Sequence, residues 1–277
     1  MTMSAANTYI AMVDAANAQR SRIHGEAAPG ERFDNLASAR RFRSDPHRAL
    51  DAGMEIIAGF IQPTDVLLDV GGGAGRLGLP LALRCRELIN VDPSRHMLDE
   101  FQECASEAGI NNARSIEGDW LEVAAVTADV ALSAHVIYFV RDIVAFIQKL
   151  IASARRRVII YINSFANPNR SDRLFHLVYG EEQATLPANR ELMEVFWEMG
   201  IIPDVRVLPI AAGGQNPTTR GAAIEQALGG TWLAAGDRDK AAGVLESHFD
   251  QLFSHENDGY KALWQPQGRE LLITWET

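Results

Sequence analysis

Residues 66–82 have the sequence VLLDVGGGAGRLGLPLA, in which an apolar run, a glycine cluster and a second apolar run follow one another. The first run, Val66–Val70, lies between Pro63 and the glycines, as is typical of a short buried strand. Residues 77–85 then predict a helix. Glycines between a strand and a helix let the backbone bend sharply and let a ligand approach without a Cβ in the way. The stretch therefore predicts the first strand, ligand-binding turn and helix of an α/β domain.

The alternation of strand and helix continues along the chain. Further strands are predicted at 88–91, Ala113–Glu117, 130–132 and 158–162. Between them, Ser94 is a suitable cap for a helix that stops at Gly109. Apolar side chains between Ile143 and Ile151 recur at the 3.6-residue spacing of another helix. Strands and helices that alternate over short connections favour a parallel sheet covered by helices on both faces.

An N-terminal cover is expected over residues 1–45. The segment has an alanine-rich, amphipathic helical pattern, with Tyr9 and Val13 among its apolar positions, and then a polar stretch with Pro29 and Gly30. We expect it to close over the ligand site, because closing segments commonly exclude water. The alternative is that it packs permanently on the helices of the sheet.

Residues 46–277 are expected to form one domain. A helix is predicted to begin at Asp45-Pro46, with proline in its first turn. A later helix is predicted at 189–199, and two more strands at 205–208 and 271–275. A helical insertion at about 211–269 precedes the last strand. The predicted fold is thus a doubly wound, mostly parallel seven-strand sheet with an N-terminal helical cover and a C-terminal helical insertion.

The charge of the chain disfavours nucleic acid as a partner. The formal net charge is −10, and an acidic surface repels polyphosphate. The densest basic run, Arg155, Arg156 and Arg157, is interpreted as a solvated helix end.

Cysteine content and hydropathy point to the cytoplasm. Only Cys85 and Cys104 are present, too few for a disulfide framework. Asp14 and Asn17 interrupt the first apolar segment, so no signal peptide is predicted. No apolar stretch approaches the length of a membrane span.

Candidate ligand-binding residues follow the predicted strands. Ligands of parallel sheets bind at the carboxyl ends of the strands. Asp69 lies in the first strand just ahead of the glycines, Asp92 ends the second, and Asp119 follows the third. Taken alone, each of these acids is also compatible with an ordinary turn or cap. Their occurrence at consecutive strand ends favours a shared ligand.

The glycine stretch resembles the first motif of class I S-adenosylmethionine-dependent methyltransferases. In that motif, an acid near the end of the first strand precedes glycines at alternate positions, which Asp69, Gly71, Gly73 and Gly75 match. The resemblance covers residues 48–163 well and the rest loosely. It implies a seven-strand, Rossmann-like fold, S-adenosylmethionine as cofactor, S-adenosylhomocysteine as product, and a methyl acceptor that we expect to be a small molecule.

The resemblance also implies roles for individual residues. Asp92 would accept hydrogen bonds from the ribose hydroxyls, Asp119 would accept one from the adenine amino group, and Trp120 would lie against the adenine ring. Met97 would pack under the adenine, or belong to the core. The implied cofactor-binding residues are Asp69, Gly71, Gly72, Gly73, Asp92, Pro93, Met97, Asp119, Trp120 and Ala134. No metal site is implied.

His135 and Tyr138 are the candidate catalytic residues. Both follow the fourth strand, where a general base can reach an acceptor, and the ordinary pKa of histidine suits proton removal near neutral pH. Methyl transfer from a sulfonium also proceeds by alignment alone. The alternatives are therefore that His135 shapes the pocket and that Tyr138 is a substrate contact or a core aromatic.

Other residues have weaker claims to the acceptor site. Arg40, Arg41 and Phe42 lie in the predicted cover, where they would close over the donor and attract an acidic acceptor, or form a solvated helix face. Three tryptophans would wall an acceptor pocket or lie in the core: Trp197, Trp232 and Trp264.

Two other functions remain open at this point. Gly73 to Gly78 formally match the GxGxxG pattern of nicotinamide-dependent oxidoreductases. A non-catalytic methyltransferase-like binding protein would show the same donor motifs. The fourth strand is not followed by Asn-Pro-Pro-Tyr, which disfavours amino-nitrogen and adenine acceptors. These patterns determine neither the acceptor nor the oligomeric state.

Overall fold

A computed structural model describes residues 3–25, 36–209, 216–229, 231–256 and 259–277. The strands are β1 (Val66–Val70), β2 (Glu87–Asp92), β3 (Ala113–Glu117), β4 (Ala128–Ala134), β5 (Ala154–Asn163), β6 (Asp204–Val207), β7 (Phe253–Glu256), β8 (Gly259–Ala262) and β9 (Glu270–Glu276). The main sheet has seven strands in the order β3-β2-β1-β4-β5-β9-β6, and β7 pairs with β8 separately. The strands from β1 to β5 are parallel, whereas β9 is antiparallel to both of its neighbours.

Helices cover both faces of this sheet. They are α1 (Ala5–His24), α2 (Leu36–Arg41), α3 (Ala52–Ala58), α4 (Gly78–Ala82), α5 (Arg95–Glu107), α6 (Ile143–Ser153), α7 (Asp172–Tyr179), α8 (Asn189–Glu198), α9 (Arg220–Leu228), α10 (Arg238–Ser247) and α11 (Phe249–Leu252). Because side chains alternate along a strand, Leu68 packs with α1, α6 and α8, while Leu67 packs with α3, α4 and α5. The doubly wound, mostly parallel seven-strand fold is confirmed.

Local sequence signals predicted the first residue of α5 correctly, but not that of α3. Ser94 Oγ accepts a hydrogen bond from Met97 N at 3.2 Å and so caps α5. The expected helix start at Asp45-Pro46 was wrong. There, Asp45 Oδ1 accepts from His47 N at 2.9 Å in a turn, and the helix begins after Asp51, whose Oδ1 accepts from Met54 N at 2.8 Å.

The basic run was also misinterpreted. Its three arginines lie in the first half of β5 and not at a helix end. Each has an acidic partner: Arg155 pairs with Asp129, Arg156 with Asp65 and Arg157 with Glu276. The run is therefore an ion-paired part of a strand.

The N-terminal segment has two described parts. In α1, Tyr9 and Val13 are fully buried, and the Tyr9 hydroxyl donates to Ile137 O at 2.8 Å. This helix packs against α6 and α8. Packing on the helices of the sheet was the alternative to a closing segment. Farther along, α2 packs on α5. Pro29 and Gly30 lie outside the described residues.

The segment between β6 and β9 contains α9, α10, α11 and the β7–β8 pair. Their apolar side chains form a separate cluster with α7, which includes Leu174, Ile224, Leu245 and Phe249. Within the predicted insertion at about 211–269, residues 211–215, 230, 257 and 258 lie outside the described residues. Among the helices that the structure describes, none is long and apolar enough to cross a membrane.

Candidate functional site

A cavity of about 610 Å³ opens at the carboxyl ends of the parallel strands. The turn after β1, the loops after β2, β3 and β4, and Phe42 from the N-terminal segment line it. The lining includes His135 and all ten predicted cofactor-binding residues: Asp69, Gly71, Gly72, Gly73, Asp92, Pro93, Met97, Asp119, Trp120 and Ala134. The topology thus brings residues from four loops to one space.

Two glycines of the first turn serve different purposes. Gly73 has a φ of 53°, and a Cβ there would have Met97 Sδ at 3.5 Å as its nearest neighbour. The backbone at this position therefore lines the cavity, and a Cβ there would make only ordinary contacts. Gly75 has a φ of 80°, and a Cβ there would lie 2.6 Å from side-chain atoms of both Leu79 and Phe101. Gly75 is thus required for close packing beneath the turn.

The end of β2 holds the glycine turn in place. Asp92 Oδ2 accepts from Gly73 N at 3.0 Å, and Asp92 Oδ1 accepts from Ser94 N at 2.9 Å. Asn90, fully buried in β2, donates from Nδ2 to Gly73 O at 2.8 Å. Sequence reasoning missed Asn90, although an amide within an apolar strand was a visible signal.

Asp69 lies beneath the turn. The carboxyl is 1% exposed, and its Oδ1 has no hydrogen-bond partner among the described residues. Burial, and secondarily the charge of Asp92, raise the pKa of Asp69 to about 7. The acid is therefore partly protonated near neutral pH, which reduces repulsion between these two carboxylates.

Trp120 is fixed in the cavity wall after β3. Its indole Nε1 donates to Phe146 O at 3.4 Å, and Lys149 Nζ lies 4.8 Å from the ring centroid. Lys149 also donates to Trp120 O at 2.6 Å. The adjacent Asp119 is exposed, and its Oδ1 accepts from Leu121 N at 2.8 Å. A flat ring and an exposed carboxylate therefore stand side by side.

His135 has an unusual backbone for a non-glycine residue. Its φ is 60°, and its N–H donates to Tyr161 O at 2.8 Å. The imidazole ring lies 4.7 Å from the Tyr161 ring, and its buried Nδ1 has no partner among the described residues. Burial, and then the charge of Arg76, lower the pKa of His135 to about 4. The ring is therefore neutral at physiological pH and able to accept a proton.

Tyr138 is not brought to the cavity. Its side chain is buried in the core, and its hydroxyl accepts from Asn163 N and donates to Asn163 O. Burial raises the pKa of this phenol well above its ordinary value. Tyr138 lies in the 3-10 turn Ile137–Phe139, where successive side chains point in different directions, and Phe139 faces the cavity instead. Of the two candidate catalytic residues, only His135 lines the cavity.

The weaker candidates are distributed around the molecule. Phe42 lines the cavity, whereas Arg40 pairs with Glu100 on α5 at 3.3 Å. Trp232 is buried and stacks on Phe139 at 5.8 Å. The remaining three do not line the cavity: Arg41 is exposed, Trp264 is buried in the cluster around α9 and α10, and Trp197 is 63% exposed on α8.

Arg76 is a cavity residue that sequence reasoning did not single out. It lies between β1 and α4, with its guanidinium carbon 5.6 Å from the centre of the Phe42 ring. No local pattern distinguishes this arginine from an ordinary surface residue. Among the described residues, no group of three or more acidic, histidine or cysteine side chains is arranged to hold a metal ion.

Known sequences are similar to the central part of the chain. Residues 67–157 match a family model described as a methyltransferase domain. An uncharacterized protein of Haemophilus influenzae is 25% identical over 174 residues, 61% of this chain and 64% of that protein. A ubiquinone biosynthesis O-methyltransferase of Azorhizobium caulinodans is 27% identical over 177 residues, 62% of this chain and 67% of the relative. The chain thus spans about two thirds of the length of these relatives.

Solved structures share the architecture. The YcgJ protein of Bacillus subtilis superposes with a TM-score of 0.54 at 15% identity, over 81% of this chain and 97% of that one. A methyltransferase of Thiobacillus denitrificans, solved with S-adenosyl-L-homocysteine, gives 0.52 at 12% identity, over 91% and 100%. The family match over residues 67–157 and the seven-strand topology thus make the chain similar to methyltransferases with the class I, Rossmann-like fold.

Proposed function

We propose that the protein transfers a methyl group from S-adenosylmethionine to a small-molecule acceptor. The observation that carries this proposal is the single cavity lined by the glycine turn, Asp92, Asp119, Trp120 and His135. These residues come from the ends of successive strands, where ligands of parallel sheets bind.

The donor half of the cavity fits S-adenosylmethionine in size and chemistry. When bound, the cofactor supplies an electrophilic methyl group on a sulfonium. Asp92 holds the ribose: both of its oxygens lie at the cavity wall, where each accepts a backbone hydrogen bond, and a carboxylate oxygen has two acceptor positions. Asp119 and Trp120 hold the adenine by a hydrogen bond and by stacking. The backbone at Gly73, which lines the cavity, receives the methionyl part.

His135 removes the proton of the acceptor in this proposal. Nδ1 is buried without a partner, so Nε2 is the nitrogen that a ligand can reach. The pKa of about 4 keeps the imidazole of His135 neutral but makes it a weak base, so proton removal relies on its position beside the acceptor. A hydroxyl is the acceptor group that most benefits from such a base. Two relatives are ubiquinone biosynthesis O-methyltransferases, which agrees with an oxygen acceptor.

Apolar side chains keep the reacting region poor in water. Val136, Phe139 and Val140 line the same cavity, and Trp232 supports Phe139 from behind. Exclusion of water favours displacement at a sulfonium. We further propose that residues 36–43 cover the site while α1 stays packed on the sheet's helices.

Calorimetry with S-adenosylmethionine, S-adenosylhomocysteine and NAD tests the donor site. We expect both sulfur nucleosides to bind at one site per chain and NAD not to bind. Clear binding of NAD, with no heat from either sulfur nucleoside, would contradict the proposal.

A tritium-methyl transfer screen over a metabolite panel tests turnover, with Asp92→Ala as the binding-deficient control. Transfer to a small molecule is expected from the wild type only. Donor binding without transfer to any acceptor would favour the non-catalytic alternative.

A further inference from the structure

The main sheet has an open edge at β6. Among the described strands, β6 pairs only with β9, so one side of its backbone has no strand beside it. All four of its residues are exposed, and Val205 and Val207 expose 47% and 51% of their surface. Unpaired backbone groups and apolar side chains on an edge strand favour pairing with a strand of another chain. This edge is therefore a candidate interaction surface.

The backbone groups at the open edge belong to Val205 and Val207. In an antiparallel pair, the N–H and C=O of one residue point to the same side, and alternate residues point to opposite sides. Leu208 N donates to Glu270 O at 2.8 Å, so Leu208 faces β9. Arg206, two positions earlier, faces β9 as well. The N–H and C=O groups of the two valines consequently point away from β9, toward the open edge.

The side chains of β6 place opposite charges on one face of the sheet. Successive side chains of a strand point to opposite faces, so Asp204 and Arg206 share one face while Val205 and Val207 lie on the other. Asp204 and Arg206 are exposed, and neither forms an ion pair among the residues that the structure describes. One acid and one base, two positions apart, are therefore available to another chain.

A second copy of β6 matches these groups in one register. When two copies pair antiparallel about a two-fold axis at Val205, this valine lies opposite its own copy and the two exchange both hydrogen bonds. Asp204 then lies opposite Arg206 of the second copy, at a non-hydrogen-bonded position, where facing side chains are closest. The symmetry forms this ion pair twice, and the valines of both copies form an apolar strip on the other face.

Charge selects this register over its neighbours. An axis at Asp204 or at Arg206 places that residue opposite its own copy, and like charges directly opposite one another destabilise a strand pair. An axis at Val207 places Arg206 opposite Leu208 and leaves its charge unpaired. Axes between residues set outward backbone groups against inward ones. The sequence of β6 is therefore self-complementary about Val205.

We propose that the protein forms a reversible homodimer in which two copies of β6 pair antiparallel about Val205 and join the two sheets edge to edge. Pro203, just before the strand, has no N–H to donate, which keeps the pairing short. The small contact predicts a dissociation constant of about 1–100 μM, at the weak end for a specific interface. No residue of β6 lines the cavity, so dimerisation leaves the proposed methyl-transfer site open.

Sedimentation equilibrium of the whole protein over a micromolar concentration series tests this proposal. The charge variants are Asp204→Arg, Arg206→Asp and the double variant that carries both substitutions. Val205→Lys tests the position of the axis. Its control is Leu83→Lys at the end of α4, because Leu83 is an apolar side chain with a matching exposure of 48%. Circular dichroism checks that each variant is folded.

We expect the wild type and Leu83→Lys to dimerise equally, and Val205→Lys to be monomeric because two ammonium groups would meet at the axis. Each single charge reversal should weaken the dimer about 10-fold or more, since it converts two opposite-charge pairs into like-charge pairs. The double variant should return to within about 3-fold of wild type, because it restores both pairs.

Three outcomes would overturn the proposal. The first is a wild type that stays monomeric throughout the series, which would leave this edge to a different partner or to none. The second is a dimer that Val205→Lys does not weaken, which would place the interface elsewhere. The third is a double variant as weak as the single ones, which would exclude the pairing of Asp204 with Arg206.

Discussion

The donor and acceptor halves of the cavity are assembled from the chain in different ways. The donor half uses short motifs that follow β1, β2 and β3 in order, such as the glycine turn and Asp119-Trp120. The proposed acceptor half collects Phe42, His135 and, behind Phe139, Trp232 from distant parts of the chain. The residues of the proposed donor site therefore follow one another in local motifs, whereas those of the proposed acceptor site are brought together only by the tertiary structure.

The largest expected effect separates chemistry from donor binding. His135→Ala should lower turnover about 10²- to 10⁴-fold, the usual contribution of a general base. The affinity of His135→Ala for S-adenosylhomocysteine should stay within about 1 kcal/mol of wild type, because the proposed donor contacts do not include His135. Transfer assays on the acceptor found by the screen, with calorimetry, measure both quantities. Tyr138→Phe is the control, and it should keep the turnover of wild type. Unchanged turnover in His135→Ala would show that His135 has only a packing role.

The next effect concerns the packing of the donor half. Gly75→Ala should lower the free energy of unfolding by about 2–5 kcal/mol, since it combines a left-handed backbone with a clash against two buried side chains. Gly109→Ala, at a φ of 68° with nothing within 4 Å, should lose only the backbone part, about 1–2 kcal/mol. Urea denaturation compares the two; equal losses would show that the close approach at Gly75 is unimportant.

Asp92 should matter more to donor affinity than Asp119 does. Asp92→Ala should weaken S-adenosylhomocysteine binding by about 1.5–3 kcal/mol, because ribose contacts and the support of Gly73 are lost together. Asp119→Ala should cost about 1 kcal/mol, since its carboxylate is exposed. Calorimetry, with circular dichroism to check folding, measures both. A folded Asp92→Ala protein with wild-type affinity would refute the ribose role.

A smaller effect should appear in the pH dependence of stability. The pKa of His135 is lowered to about 4 in the folded protein, from 6.5. Between these values the unfolded chain binds the additional proton, so the stability associated with neutral His135 is lost as the pH falls through this window. Between about pH 7 and pH 5, wild type should lose about 1–2 kcal/mol more than His135→Gln. Denaturant titrations at both pH values test this; parallel losses would mean that His135 titrates normally.

The smallest effect distinguishes the two parts of the N-terminal segment. S-adenosylhomocysteine should slow amide hydrogen exchange over residues 36–43, which include the cavity residue Phe42. Exchange over α1 should not change, because this helix is packed on α6 and α8. Exchange mass spectrometry with and without the ligand resolves both regions. Equal protection of 36–43 in the two states would contradict a ligand-dependent cover.

The fold was largely predictable because its signals are local. Val66–Val70 is an apolar run that ends at glycines, and Ser94 is a side-chain cap for α5. The errors arose where two local interpretations compete. Asp45 and Asp51 are both capping residues, and only packing determined that α3 begins after the second. The run from Arg155 to Arg157 resembles the solvated end of a helix in the sequence. Its three acidic partners become visible only in the three-dimensional structure.

The candidate site shows the same difference between local sequence signals and tertiary structure. The proposed donor residues were found because a motif preserves their order along the chain. Arg76 lies within that motif, but its position in the cavity wall, over the Phe42 ring, follows from tertiary structure. Tyr138 was selected by proximity to β4, whereas the 3-10 turn directs its hydroxyl to Asn163. Side-chain direction in such a turn is a property of the three-dimensional structure.

The position of β9 has a consequence for synthesis on the ribosome. This strand lies between β5 and β6 and pairs with both, over Glu270–Glu276. Among the described strands, β6 has no other hydrogen-bonded neighbour. During translation, β1 to β5 are therefore able to associate as they emerge, whereas β6 waits unpaired until residues 270–276 have been made. The order of emergence thus assembles the donor half of the sheet first and leaves one edge to be completed after the last strand is released.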